Sequence, residues 1–168
     1  MPRIAVITDT DSSLPFDVAE QHGIVQVPIS IRFGNETFRD GYDIDATTLF
    51  ARIDREGSLP QTAAPSPGEF AAAFEAALAG GADGILCLNI SSEVSGTCQA
   101  AQLAASEFSG RNITVVDTRQ ISMGQGFMVL AAARAAAQGA SVEQALAAAM
   151  ETSAHAHLFG ALATLKYL

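Results

Sequence analysis

Apolar and polar positions fall along the chain in blocks that alternate between strand-like and helix-like spacing. The run Ile4-Ala5-Val6-Ile7 ends in the polar loop Thr8 to Ser13, which predicts a buried first strand. Pro15 suits the first turn of a helix running to about His22 and closed by Gly23. Ile24 to Phe33 reads as strand, with Gly34-Asn35-Glu36 turning into a short segment, Thr37 to Arg39. Asp45 to Glu56 has helical character and stops at Gly57. Ser66-Pro67-Gly68-Glu69 is a helix start: Ser66 caps, Pro67 takes the first helical position and Glu69 completes a capping box. Phe70, Phe74 and Leu78 then recur at helical spacing as far as Gly80-Gly81. Gly84 to Ile90 predicts another buried strand, Ser91 to Thr97 a loop, Cys98 to Phe108 a helix and Ile113 to Val116 a strand. Ser122 to Gln138 predicts a helix ended by Gly139, and Ser141 to Gln144 opens a further helix with a second capping box. Leu158 to Leu162 is expected as a last strand. This order predicts an α/β fold, a mostly parallel sheet with helices on both faces. With no internal repeat and no Pro- or Ser-rich linker, residues 1–168 read as one domain.

Composition narrows the function. Apolar residues make up 49% of the 168 and charged residues 16%, a globular balance. The net charge is −9, from nine Lys plus Arg against eighteen Asp plus Glu, with no basic cluster anywhere. Nucleic-acid phosphates and anionic membrane surfaces both require local Lys or Arg density, so neither is expected as a partner. Met1 to Thr8 lacks the pattern of a signal peptide, and no window is apolar enough for an integral membrane segment. Cys87 and Cys98 have no metal-ligand spacing and are expected as reduced, buried thiols, which fits the cytoplasm. His155 and His157 could share a strand face as metal ligands, but no third ligand stands near them in the sequence. No metal or cofactor is expected.

Three polar loops carry the candidate chemistry: Thr8 to Ser13, Thr62 to Ser66 and Ser91 to Thr97. Each follows a predicted strand or enters the next helix, where open α/β sheets place their sites, although Ser and Thr are also ordinary caps and turn formers. Ser91-Ser92-Glu93-Val94-Ser95-Gly96-Thr97 is the most informative. Backbone N–H groups at a helix start form a ready anion site. Gly96 allows close approach to the backbone, and the Ser95 hydroxyl can donate to a carboxylate or phosphate oxygen. In so acidic a chain, an anion has to be held by such neutral donors.

Several segments together resemble the DegV family, which includes the FakB-type fatty-acid-binding subunits. Ile7-Thr8-Asp9-Thr10-Asp11-Ser12-Ser13-Leu14-Pro15 is similar to its opening I-T-D-S-T-S-D-L-P pattern, and Val27-Pro28-Ile29 to its V-P-L strand. Phe38-Arg39-Asp40-Gly41 resembles Y-x-D-G, Thr62-Ala63-Ala64-Pro65-Ser66 resembles T-S-Q-P-S, and Ile90 to Thr97 resembles I-S-S-x-L-S-G-T. Val116-Asp117-Thr118 resembles V-D-S, Ser122 to Gly126 resembles S-x-G-x-G, and Thr164 to Leu168 resembles T-L-x-Y-L. The resemblance implies one long-chain fatty acid held between two α/β halves and presented to a separate fatty acid kinase subunit for phosphorylation. It implies a non-catalytic chain whose only ligand is the fatty acid. Its carboxylate would meet the Thr62 and Ser95 hydroxyls and the Gly96 N–H, with Asp9, Ser91, Ser92, Thr97 and Ser122 as supporting candidates. Asp11 and Ser13 stand where the family pattern has Thr and Asp, and Ala63 and Ala64 replace Ser and Gln. The family's second half, with an arginine-bearing turn and a distal histidine, does not follow Leu168 in this sequence, so a truncated N-terminal domain that binds acyl chains weakly or not at all alone is expected.

Two rival readings come from the same residues. Asp9-Thr10-Asp11 after an apolar strand resembles the D-x-D of haloacid-dehalogenase-type phosphatases, with Asp9 as nucleophile and Asp11 as general acid. That chemistry also needs Mg²⁺ carboxylates and a lysine, and the sole lysine is Lys166. The alternative is a ligand-free interaction module built on the alanine-rich helices at 71–79 and 131–137. Met123, Met128, Ile31 and Phe33 are candidates either for an acyl tunnel or for the core. No nucleophile elbow, P-loop or dinucleotide fingerprint occurs.

Overall fold

The computed structural model describes residues 3–161. Strand β1 (Ile4–Asp9) leads through a 3-10 turn (Thr10–Ser12) into helix α1 (Phe16–Gln21) and strand β2 (Ile24–Val27). A hairpin of β3 (Ser30–Phe33) and β4 (Glu36–Arg39) follows, then α2 (Ala46–Glu56) and β5 (Gln61–Ala63). The chain continues through α3 (Pro67–Ala79), β6 (Gly84–Asn89), α4 (Thr97–Ser106), β7 (Ile113–Asp117), α5 (Met123–Ala137) and α6 (Val142–His155). The main sheet has the order β2-β1-β6-β7, with each neighbouring pair parallel. β6 is buried along its whole length, as a strand at the centre of a covered parallel sheet must be.

Helices cover both faces. On one, Phe70 and Phe74 of α3 and Ala101 and Ala104 of α4 pack against Ile7, Ile85 and Cys87. On the other, Met128, Val129 and Ala132 of α5 and Ala145 and Ala149 of α6 pack against Val6, Leu86 and Leu88. Alternate residues along β1 and β6 thus feed opposite cores, following the two-residue period of a strand. Alanine at the helix contacts keeps α5 and α6 close to each other and to the sheet. Met128 is fully buried in this core, while Ile31 and Phe33 belong to a small separate core with Ile44 and Ile53. Among the described residues no helix is long and apolar enough to cross a membrane.

The helix starts fall where their caps are. Ser66 accepts from the Glu69 N–H while Glu69 accepts from the Ser66 N–H, and Ser141 and Gln144 form the same reciprocal pair. Asp45 caps α2 through the Thr48 N–H, and Gly57, at φ 66°, ends it.

Four strand expectations are corrected. The single strand expected over 24–33 is two: β2 lies in the main sheet and β3 in a second sheet of order β4-β3-β5. Pro28 lies between them and has no N–H to continue a ladder, so the chain leaves one sheet and enters the other. The loop expected from Thr62 begins as strand β5, paired antiparallel with β3 so that Thr62 stands opposite Ile31. Residues 158–161 form no strand, and Leu162 lies outside the described residues, as does the Thr164 to Leu168 motif with Lys166. β1 also runs two residues past Ile7, to Asp9.

Candidate head-group site

The connection from β1 leads to β2 on one side, whereas that from β6 leads to β7 on the other, so the strand order reverses between β1 and β6. The crevice outside the carboxyl ends of two such strands is where open α/β sheets bind ligands. A cleft of about 100 Å³ lies at this end of the molecule, lined by Thr62, Ser95, Asp11, Ile29, Ile90 and Val94. Thr62 comes from the second sheet, Ser95 from the loop after β6 and Asp11 from the 3-10 turn after β1. Three segments far apart in sequence therefore meet at one point. Thr10 fastens the sheets together there, its Oγ1 accepting from the Ile29 N–H at 3.2 Å.

Asp9 organises the floor. Its side chain is inaccessible, and its carboxylate accepts from the Ile90 N–H at 3.0 Å, the Asn89 amide at 3.1 Å and the Gln125 amide at 3.0 Å. Gln125 also donates to Thr8 Oγ1 at 2.9 Å, and Thr8 donates to the Leu88 carbonyl at 2.8 Å. Burial pushes the Asp9 carboxyl above its ordinary value, against the pull of these donors. Asp9 is thus a latch joining β1, β6 and α5. With both oxygens occupied and no exposure, it is not placed to attack a phosphoryl group, which counts against the phosphatase reading.

The Ser91 to Thr97 loop is held from several sides. Ser91 is buried: its N–H donates to the Gln120 carbonyl at 2.9 Å, and its hydroxyl accepts from the Glu93 N–H at 3.3 Å. The N–H and hydroxyl of Ser92 both donate to Asp117, whose carboxyl also accepts from the Arg119 N–H at 2.9 Å. Burial raises the Asp117 carboxyl, but these donors outweigh it and hold the group below its ordinary value. Ser95 Oγ lies 2.8 Å from the hydroxyl of the buried Thr97 and accepts from the Thr97 N–H at 3.3 Å. Gly96 is the N-cap of α4, and a side chain placed there would meet open space. A ligand can approach the helix start from that side.

The expected pair, Thr62 and Ser95, is therefore brought together, with Gly96 next to Ser95. Asp9, Ser91, Ser92 and Thr97 support the loops instead of lining the cleft. Ser122 lies elsewhere, donating to the Ser13 hydroxyl at 3.1 Å ahead of α5. Ala63 and Ala64 line the cleft without polar groups. His155 ends α6 and His157 follows it in coil, so they share no strand face, and no cluster of three metal-binding side chains occurs among the described residues.

Asn89, Gln125 and the position of Asp11 were not anticipated. A polar residue closing the apolar run Gly84 to Leu88, and a glutamine between Gly124 and Gly126, are the signals that point to the first two. Asp11 is half-buried, and burial, followed by the charges of Asp9 and Asp40, lifts its carboxyl to about 6.

Hydroxyl donors and a helix start thus converge at the switch point of an open α/β sheet, the position at which sheets of this class bind ligands. The chain belongs to the DegV family: the family model described as "Uncharacterised protein, DegV family" matches residues 3–168. A DegV domain-containing protein of Mycobacterium tuberculosis is 40% identical over 166 residues, 98% of this chain and 57% of that protein. One from Caldanaerobacter subterraneus is 36% identical over 152 residues, 90% of this chain and 54% of the relative. The chain spans about half the length of the curated relatives it matches. Among solved structures, a Thermus thermophilus DegV family protein described by its fatty acid binding aligns with a TM-score of 0.81 and 41% identity, over 90% of this chain and 54% of that one. Bacillus subtilis DegV, described as a fatty acid binding protein, aligns with a TM-score of 0.84 and 30% identity over the same shares, 90% and 54%.

Proposed function

We propose that this chain holds the carboxylate of a long-chain fatty acid at the Thr62–Ser95 cleft and presents the acyl chain to a fatty acid kinase subunit, without being catalytic itself. The observation that carries the reading is the convergence of Thr62, from the second sheet, and Ser95, from the loop after β6, on one cleft at the main sheet's switch point. The Thermus and Bacillus relatives support it, as does a 28% identical structure from Eubacterium ventriosum described as binding stearic acid. At about 100 Å³ the cleft falls well below the roughly 300–1,000 Å³ of a pocket that encloses a whole ligand. It fits a head group. In this reading Thr62 and Ser95 donate their hydroxyl protons, the Gly96 N–H adds a third donor, and the acyl chain gains affinity by leaving water, about 0.8 kcal/mol for each methylene. A second α/β half, for which the greater length of the relatives leaves room, completes the acyl pocket. The two free buried cysteines suit a reducing compartment, the cytoplasm.

Titration with palmitate tests this, using the full-length Thermus relative as positive control. The chain is expected to bind more weakly than the relative. Thr62→Val and Ser95→Ala should each weaken binding roughly 10- to 100-fold, the cost of a hydrogen bond to a charged group. Equal binding by wild type and both variants overturns the head-group assignment. Weak or absent binding is what this half alone is expected to give, so the fatty-acid reading is overturned by failure to bind palmitate once the remaining part of the Thermus relative is supplied with it.

A further inference from the structure

The cleft holds an acid where an anion is to bind. Asp11 lines the same small space as Thr62 and Ser95, and among the described residues no Lys, Arg or His lines it with them. Two further carboxylates lie near enough for their charge to act on Asp11: Asp9, saturated by three donors, and Asp40, the residue after β4. Arg39, beside Asp40, is engaged by Asp43 at 2.9 Å and so leaves Asp40 uncompensated from that side. Among the described residues no hydrogen bond fixes the Asp11 carboxyl in this structure. An ionised Asp11 would repel a ligand carboxylate at this range, whereas a protonated one would donate to it. Two carboxyl groups forced together hold one proton between them.

We propose that Asp11 sets the head-group charge the cleft accepts: it takes a carboxylate by sharing one proton with it and discriminates against a doubly charged phosphate end. This rests on the fatty-acid reading above and adds a specificity to the same site. The substrate of a fatty acid kinase carries one charge at most, and its acyl phosphate product carries up to two. Asp11 therefore favours the acid and weakens the hold on the phosphorylated end, which helps release. Its carboxyl, lifted to about 6, gives the pH window. Below that value the proton is present and binding is strong; above it the proton must be taken up on binding, and affinity falls.

The test compares palmitate with hexadecyl phosphate on wild type, Asp11→Asn and Asp11→Thr, at pH 5 and pH 8. Affinities are read as variant over wild type at each pH, so that the ligand's own ionisation and solubility cancel. For palmitate at pH 8 both variants are expected to bind about tenfold tighter than wild type, with the ratio falling towards one at pH 5. For hexadecyl phosphate at pH 8, whose second proton is lost near pH 6, the ratio should be larger still. Ratios that are the same at both pH values and for both ligands overturn the role of Asp11 and leave the fatty-acid reading standing. No binding of palmitate by wild type or either variant, with the remaining part of the Thermus relative supplied, overturns both. Two substitutions of different shape separate loss of charge from a local change in packing, since only loss of charge makes the ratio depend on pH.

Discussion

At the scale of single residues, the proposed site divides between groups that line the cleft and groups that hold those in place. Asp9 is in the second set: one carboxylate satisfies a backbone N–H of the β6 exit, the Asn89 amide and the Gln125 amide. Removing it leaves those donors buried without a partner, which costs more than the bonds themselves are worth. Asp9→Ala is expected to destabilise the protein by roughly 2–4 kcal/mol, visible as a lower urea midpoint at unchanged slope. A normal midpoint would show that the latch has little weight. The same variant bears on the phosphatase reading, which requires Asp9 to be free for attack. A sequence can mark Asp9 as chemically capable, but it cannot reveal that its oxygens are spent on Asn89 and Gln125, because those partners lie eighty and more positions away.

At the scale of elements, the cleft depends on how closely α5 sits beneath the turn that carries Asp11. A side-chain carbon at Gly126 would come within 2.6 Å of the Ser12 carbonyl oxygen, which belongs to that turn. Gly126→Ala must therefore push the turn away from α5, at a cost of about 1–3 kcal/mol, and weaken fatty-acid binding with it. Gly96 is the counter-case, since the space beside it is open and its φ is −77°. Gly96→Ala should leave stability within about 1 kcal/mol of wild type yet reduce affinity, because the new methyl stands where the ligand approaches. Thermal melts and palmitate titrations on the two variants check this opposition, and a Gly96→Ala protein with unchanged affinity would remove the helix start from the site. The helices were legible in the sequence because their signals are local: the Ser66–Glu69 and Ser141–Gln144 boxes and the glycines closing α2 and α5 each act within a few residues. The second sheet was not legible. β5 is three residues long and exposed, and only its pairing with β3 makes it a strand. Thr62 could accordingly be singled out by its motif, whereas its position opposite Ser95 follows from the crossing of the chain at Pro28.

At the scale of the whole molecule, the proposed function asks a chain of net charge −9 to hold an anion in a cleft lined by no cation among the described residues, so the head group would supply orientation but little attraction. Most of the affinity must come from apolar burial along the acyl chain, for which the small cleft has no room. A larger groove of about 700 Å³ runs between α5 and α6, past Met123, Phe127 and Leu130 and also past Arg134, Glu151 and His155. Binding to the folded state alone stabilises it by mass action, about 2.7 kcal/mol at a ligand concentration one hundred times Kd. For a chain of this size that corresponds to a rise in Tm of roughly 5–10 °C. Thr62→Val, with affinity lowered roughly 10- to 100-fold, should retain only about 0.4–1.4 kcal/mol at the same concentration. Fatty acids are also surfactants, and a surfactant that binds the unfolded chain lowers Tm in wild type and variant alike. Differential melting in palmitate at fixed concentration distinguishes the two. A rise in wild type that shrinks in Thr62→Val is specific retention by the head-group cleft, whereas an equal rise in both proteins means that the acyl chain is held without Thr62 and that the carboxylate is bound elsewhere.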